Sequence, residues 1–212
     1  MNRKIKYLIG VDEAGRGPLA GPVAVAAVVI SPKLSMSRAT LDMKRGVLGL
    51  RDSKKLNVKQ REVWYGWLRE KRGQRKLNFA VALVGHKIID REGITRAVRI
   101  GIARCLRRLE LNPAVCEVKL DGSLRASRAY VNQVTIIHGD SFVPVIMLAS
   151  IAAKVTRDRR MSRLAGVYPK YGFEIHKGYG TKRHYQQIKR HGLSPIHRRS
   201  FNLQIPVKYA RK

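Results

Sequence analysis

Five short apolar runs punctuate the chain, and three stretches with a helical period lie among them. The first two runs are Tyr7-Leu8-Ile9-Gly10-Val11 and Val23 to Ile30. Both are short and β-branched, and Gly and Pro between them mark a turn, so two strands joined by a Gly-rich loop are predicted. Leu77 to Val84 alternates in part and predicts a third strand. Val115 to Leu120 predicts a fourth, and Val134 to His138 a fifth. Asn57 to Arg72 has helix character: Val63, Trp64 and Trp67 share a face and Gly73 ends it. The tryptophans are expected to pack on the core. His86 to Leu111 is helical again, with Ile94, Val98, Ile100, Ala103, Leu106 and Leu109 as its apolar stripe. Gly93 and Gly101 interrupt that pattern, and Asn112-Pro113 stops it. Val145 to Leu164 is a strong helix, apolar in its first half and basic in its second. Residues 31–50 show no clean period and read as a loop with room for a short helix. No repeat or low-complexity linker appears, so an α/β domain over 1–166 is expected, with a C-terminal basic and helical extension, 167–212, packed on it.

Charged residues change this picture by where they fall. Asp12 and Glu13 follow the first run, Asp121 the fourth, and Asp140 the fifth. Side chains alternate faces along a strand, so Asp12 and Glu13 cannot both enter the core. A solvated turn would accommodate the pair. So would a bound divalent cation, which removes both their repulsion and their resistance to desolvation. The loop Gly15-Arg16-Gly17 lets backbone amides approach a ligand closely, and Arg16 adds a cation. Amides and an arginine beside paired carboxylates suit a phosphodiester bridged by metal ions. Ser53 and Lys54, in Arg51-Asp52-Ser53-Lys54-Lys55-Leu56, suit either a phosphate or a solvated basic turn. Asp158, inside Arg157-Asp158-Arg159, is expected to serve local ion pairing.

Lys and Arg number 44 against 14 Asp and Glu, a net charge of +30. Such a balance is the electrostatic footprint of a nucleic-acid binder. The tail from Tyr168 interleaves tyrosines and histidines with bases, a mixture that suits a surface following a nucleic-acid backbone. Its histidines, His176, His184, His191 and His197, are too irregularly spaced for a zinc ligand set. The longest near-apolar segment, Pro18 to Ile30, falls short of the roughly 20 residues needed to span a bilayer. No membrane association is expected. Cys105 and Cys116 suggest neither a disulfide framework nor a zinc site, and a cytoplasmic location follows as the expectation.

The block DEAGRGPLAGP at 12–22 resembles type 2 ribonuclease H (the ribonuclease HII family). So do DSKKL at 52–56, LDG at 120–122, GD at 139–140 with ASIAAKVTRD at 149–158, HKGYGT at 176–181 and GLSPIHRRSF at 192–201. The resemblance implies a ribonuclease H-like fold: a mixed five-stranded sheet flanked by helices, with a C-terminal helical extension. It implies four catalytic acids holding two divalent cations, Mg²⁺ or Mn²⁺, which match Asp12, Glu13, Asp121 and Asp140. The backbone of Gly15, Arg16 and Gly17 would contact the ribonucleotide 2′-hydroxyl and the adjacent phosphate. Tyr179 would pack under the following deoxyribose. Substrates would be RNA–DNA hybrids and duplex DNA with embedded ribonucleotides. Cleavage 5′ of the ribonucleotide would leave a 5′-phosphate and a 3′-hydroxyl, in ribonucleotide excision repair and primer removal. The enzyme is expected to be a monomer. The terminal IPVKYARK shows no clear match to the sliding-clamp peptide of many family members. Departures from the family pattern are Leu148 before Ala149-Ser150 and Gly93 where Asn is usual.

Two rival readings remain open at this level. A non-catalytic basic protein bound to RNA or the ribosome fits the charge equally well, but gives no reason for four carboxylates after strands. Another nuclease or transposase-like member of the same broad fold shares the metal chemistry, but should lack the Gly-Arg-Gly loop and the downstream tyrosine.

Overall fold

The computed structural model describes residues 4–30 and 56–202. Strands β1 (Tyr7–Ala14) and β2 (Val23–Ile30) pair antiparallel, as do β2 and β3 (Leu77–Val84). On the other side of β1 lies β4 (Cys116–Asp121), parallel to it, then β5 (Asn132–Ile136), parallel to β4. The order β3-β2-β1-β4-β5 makes the sheet mixed, as expected, with β1 at its centre.

Helices cover both faces. One layer holds α1 (Val58–Gly73) and α5 (Pro144–Val167); the other holds α2 (His86–Glu92) and α3 (Ile94–Arg108). Between β5 and α5 lies the one-turn helix α4 (Gly139–Phe142). β2 is buried along its whole length. Ala24, Ala26, Val28 and Ile30 pack toward α5, while Val23, Val25, Ala27 and Val29 pack toward α3. A strand covered on both faces has no solvent side on which to alternate, which explains its unbroken apolar run.

Local chemistry accounts for the helix boundaries. Asn57 and Gln60 form a reciprocal capping box at the start of α1. Trp64 is fully buried and meets Trp67 edge-on at 5.6 Å, so the pair packs in the core as expected. The helical stretch expected over His86–Leu111 is divided into α2 and α3 at Gly93. Its backbone (φ 78°, ψ 159°) lies in a region that essentially only glycine enters. Gly101 is accommodated inside α3 because a Cβ there would come within 2.5 Å of Val25.

β5 ends at Ile136, before its expected limit at His138. Among the described residues its only strand neighbour is β4, and the ladder stops with the pair Asp121–Ile136. The chain then turns through His138 (φ 56°), and Asp140 sits in α4 rather than directly behind a strand.

The tail folds back onto the loop after β1. It contains a 3₁₀ turn (Pro169–Tyr171), α6 (Phe173–His176) and α7 (Lys182–His191). Ala20, Met161, Leu164, Tyr171, Phe173 and Ile196 form its apolar centre, and Ala20 pairs with His197 through a single β-bridge. The expected surface of interleaved rings is thereby corrected: Tyr171, Phe173, His176, His184 and His197 are buried. Tyr171 stacks on Phe173 at 5.4 Å and His176 on His184 at 4.2 Å. A segment this basic has few aliphatic side chains to bury, so rings supply its apolar area. Tyr179 remains 40% exposed. Cys105 and Cys116 are free and buried, and desolvation pushes the Cys105 thiol up to about 11.

Candidate active site

β1 runs through Asp12 and Glu13 rather than stopping before them. Alternation sends the two side chains to opposite faces. Helix α5 crosses β1 so closely that a Cβ on Gly10 would lie 2.3 Å from the Val145 backbone. This approach lets the Ser150 hydroxyl, one turn farther along α5, hydrogen-bond the Asp12 carboxylate. Asp121 ends the neighbouring parallel strand, and its Oδ1 accepts the Asp140 backbone N–H at 3.2 Å. The early turn after β5 therefore brings Asp140 back onto Asp121.

The outcome is a carboxylate triplet, buried at Asp12 and Asp140 and half-buried at Asp121. Asp12, Asp121 and Asp140 each offer a carboxylate oxygen, all within 4.8 Å of one another. Asp12 is 4% and Asp140 1% exposed. Glu13 lies beside the triplet. Its Oε1 accepts from Arg16 Nη1 at 3.3 Å, and its buried Oε2 has no hydrogen-bond partner among the described residues. All four acids line one cleft of about 310 Å³, together with Gly15, Arg16, Gly17, Ser150, Lys154 and Tyr179. Ser53 and Lys54, and the loop expected after the second strand, lie outside the described residues.

Electrostatics marks the triplet as incomplete. Burial holds the Asp12 carboxyl well above the usual carboxylate range; the negative charges of Glu13 and Asp121 push the same way, and the Ser150 hydrogen bond opposes them. Burial also raises Glu13, against the pull of Arg16. A group of hard oxygen ligands short of counter-charge, with one buried oxygen unsatisfied, fits a divalent cation of the Mg²⁺ type. Gly15 carries a second requirement. Its φ is +94°, and a Cβ there would lie 1.9 Å from Arg157 Nε, so no other residue fits without displacing that arginine. Gly17 is the opposite case: a Cβ would meet nothing within 4 Å.

A family model described as Ribonuclease HII matches residues 9–204. The chain belongs to the ribonuclease HII family. Ribonuclease HII of Coxiella burnetii (strain RSA 493 / Nine Mile phase I) is 45% identical over 194 residues, covering 92% of this chain and 87% of that protein. Ribonuclease HII of Endomicrobium trichonymphae is 42% identical over 201 residues, covering 95% of this chain and 88% of that one. Among solved structures, ribonuclease H2 from Pyrococcus horikoshii OT3 superposes with a TM-score of 0.68 at 26% identity, over 93% of this chain and 94% of that chain. The RNase HII of Archaeoglobus fulgidus, solved in complex with PCNA, shares the fold at a TM-score of 0.68, 24% identity, and coverage of 90% of this chain and 93% of that chain.

Within this family frame, several cleft residues went unnoticed in the sequence. Ser150 and Lys154 stand one helical turn apart on α5, as the only polar residues between Val145 and Val155. Polar side chains at i and i+4 in an apolar half-helix were the available signal. Lys154 pairs with Asp158 at 3.0 Å, which accounts for Asp158 through local ion pairing. Lys154 also lies over the Tyr179 ring, 5.6 Å from its centroid. No helix among the described residues is long and apolar enough to cross a membrane.

Proposed function

We propose that this cleft is where the enzyme, a hydrolase of the ribonuclease HII family, cuts the RNA strand of RNA–DNA hybrids and nicks duplex DNA 5′ of single ribonucleotides. The carrying observation is the convergence of Asp12, Asp121 and Asp140 within 4.8 Å, in the same cleft as the loop Gly15–Gly17. Together with Glu13, these acids would hold two divalent cations, Mg²⁺ or Mn²⁺. Such ions, once bound, supply an activated water and charge stabilisation for the leaving oxygen. The products would carry a 5′-phosphate and a 3′-hydroxyl.

The remaining work falls to the chain itself. Ser150 holds the Asp12 carboxylate in place from α5. The Arg16 and Gly17 amides make no hydrogen bond within the protein among the described residues, and are available to a sugar hydroxyl or a phosphate oxygen. The 2′-hydroxyl is the group that distinguishes a ribonucleotide within DNA, and backbone groups read it without reading the base. Tyr179, exposed at the edge of the cleft, offers a ring face to the next sugar. The net charge of +30 attracts the backbone without regard to sequence. Residues 167–212 serve as an extension of the catalytic domain, and the enzyme works as a cytoplasmic monomer. A purely binding role for a basic protein gives no reason to bury like-charged carboxylates together.

The test is a labelled DNA duplex containing one ribonucleotide, incubated with Mg²⁺ or Mn²⁺ and either the native protein or Asp121→Asn. A single nick 5′ of the ribonucleotide, lost in the variant, is expected. Tight binding without cutting under either metal would overturn the reading.

A further inference from the structure

Two arginines behind the cleft are fully buried, Arg157 on α5 and Arg198 after α7. Among the described residues, neither lies within ion-pair distance of a carboxylate. Every hydrogen bond their guanidinium groups make ends on a main-chain carbonyl. Arg198 donates to Gly15 O at 2.7 Å, Arg16 O at 2.7 Å and Gly21 O at 3.0 Å. Arg157 donates to Pro22 O at 2.9 Å, Ala20 O at 3.4 Å and Lys177 O at 3.0 Å. Its Nη1 is buried without a partner, and its guanidinium lies 5.6 Å from the Tyr179 ring centroid.

Burying two unpaired cations is expensive, and desolvation pulls Arg198 down to about 9. The six carbonyl bonds offset part of that cost but leave both charges without a counter-ion among the described residues. The geometry shows what the arrangement does for the loop. In a planar trans peptide, C=O and N–H point in opposite directions. Arg198 pulls the Gly15 and Arg16 carbonyls inward, which turns the next two amides, Arg16 N–H and Gly17 N–H, away from it. Among the described residues those two amides have no protein partner, and they belong to cleft-lining residues. Arg157 joins this loop to the opposite wall. It touches Gly15, holds the carbonyls that follow the loop, and grips Lys177 O two residues before Tyr179.

We propose that Arg157 and Arg198 are positioning residues for sugar discrimination: Arg198 aims the amides of the 15–17 loop, and Arg157 locks that loop to the Tyr179 segment. The ligand this frame fits is a ribonucleotide followed by a deoxyribonucleotide, whose connecting phosphate would meet the two amides that Arg198 aims. The inference rests on the reading of the cleft as a ribonucleotide-to-deoxyribonucleotide reader. Arginine's planar fork reaches several carbonyls at once, whereas a lysine ammonium keeps the charge and loses that geometry.

The experiment compares kcat/KM on two substrates, a DNA duplex with one ribonucleotide and a long RNA–DNA hybrid. Proteins tested are the native enzyme, Arg157→Lys, Arg198→Lys, Tyr179→Ala and the double variant Arg157→Lys/Tyr179→Ala. Each arginine variant is expected to lose about ten-fold more on the single ribonucleotide than on the hybrid. The effect of Arg157→Lys should shrink in the Tyr179→Ala background, because one acts through the other. Equal losses on both substrates, or additive losses in the double variant, would overturn the proposal. Tyr179→Ala separates this failure from that of the underlying reading. If it too loses equally on both substrates, the cleft is no junction reader; if it alone is selective, only the role of the arginines fails. Should a lysine variant not fold, the native protein decides by NMR. The Nε–H signals of both arginines should shift on adding duplex DNA with one ribonucleotide in metal-free buffer, and not on adding the all-DNA duplex. Identical responses to the two duplexes would overturn the proposal.

Discussion

The two walls of the cleft are built on opposite plans. On the acid wall, side chains face the cleft: Asp12, Asp121 and Asp140 are carried by adjacent strands and the turn beyond them, with Glu13 alongside. On the loop wall, backbone lines the cleft, and the side chains of Arg157 and Arg198 stand behind it. The acid wall concentrates one sign of charge, as a site for a divalent cation does. The loop wall buries the opposite sign against carbonyl dipoles, and among the described residues the Arg16 and Gly17 amides have no partner. Asp12 and Asp121 are placed side by side by the register of two parallel strands, and Asp140 is tied to them by its amide on Asp121. Backbone amides in a loop need a second layer, because nothing in the loop itself fixes which way each peptide points.

The contrast is broken most directly by removing one charge from each wall. Asp12→Asn should lower kcat by about a thousand-fold or more. Its metal-free melting temperature should nevertheless rise, by about 2–4 °C, because a desolvated carboxylate is relieved of its neighbours Glu13 and Asp121. Arg157→Met should instead lower the melting temperature, by about 5 °C or more, since three carbonyls lose their donor. Thermal melts in EDTA beside steady-state kinetics would check both. A fall in stability with Asp12→Asn would mean that the hydrogen bonds of Asp12, from Ser150 and the Glu13 amide, outweigh its desolvation and repulsion.

A narrower cut lies within the loop wall. Gly15→Ala places a Cβ against Arg157 at a positive φ and should cost about 2 kcal/mol of stability. Gly17→Ala meets open space and should leave the denaturation midpoint within about 0.5 kcal/mol of native, while slowing cleavage of a single embedded ribonucleotide. Urea melts paired with nicking assays distinguish the two glycines. Equal destabilisation by both would show that the loop is shaped by its own backbone and not by the arginine behind it.

The smallest effect concerns the rings that hold the tail against the loop wall. His184 Nε2 lies 3.0 Å from His197 Nε2, and His184 Nδ1 bonds Tyr179 O at 2.9 Å. Desolvation lowers His184 to about 4 and His197 to about 3. The unfolded chain takes up protons below about pH 6.5 that the folded protein refuses. Their contribution to stability is therefore complete above that pH and is lost as the pH falls toward the folded values. Melting temperature should drop between pH 7 and pH 5, as the unfolding free energy falls by at most about 1.4 kcal/mol per pH unit for each ring. His197→Gln should flatten that slope. An unchanged profile in the variant would remove the histidines from the account.

Wherever a local rule decided the outcome, the sequence alone was sufficient. Five apolar runs became five strands, because short β-branched segments bounded by Gly, Pro and acids have few other ways to satisfy their backbone. β2 shows why its run never alternated: helices cover both of its faces. The acids of the cleft were conspicuous for being scarce, 14 in 212 residues, and for following apolar runs. The motif block at 12–22 named the family, which whole-chain similarity then established. Tertiary structure decided what depends on direction and on distant partners. Gly93 split a continuous helical pattern through its backbone angles, and pairing on one side only shortened β5 and moved Asp140 into a turn. Rings that looked like a nucleic-acid surface became the core of the tail, since burial is set by what packs above them. Arg157 and Arg198 were two bases among 44, indistinguishable along the chain from those that face water. Only the fold, by bringing residues 157 and 198 behind residues 15–17, gave those two guanidinium groups carbonyls to hold and made them part of the site.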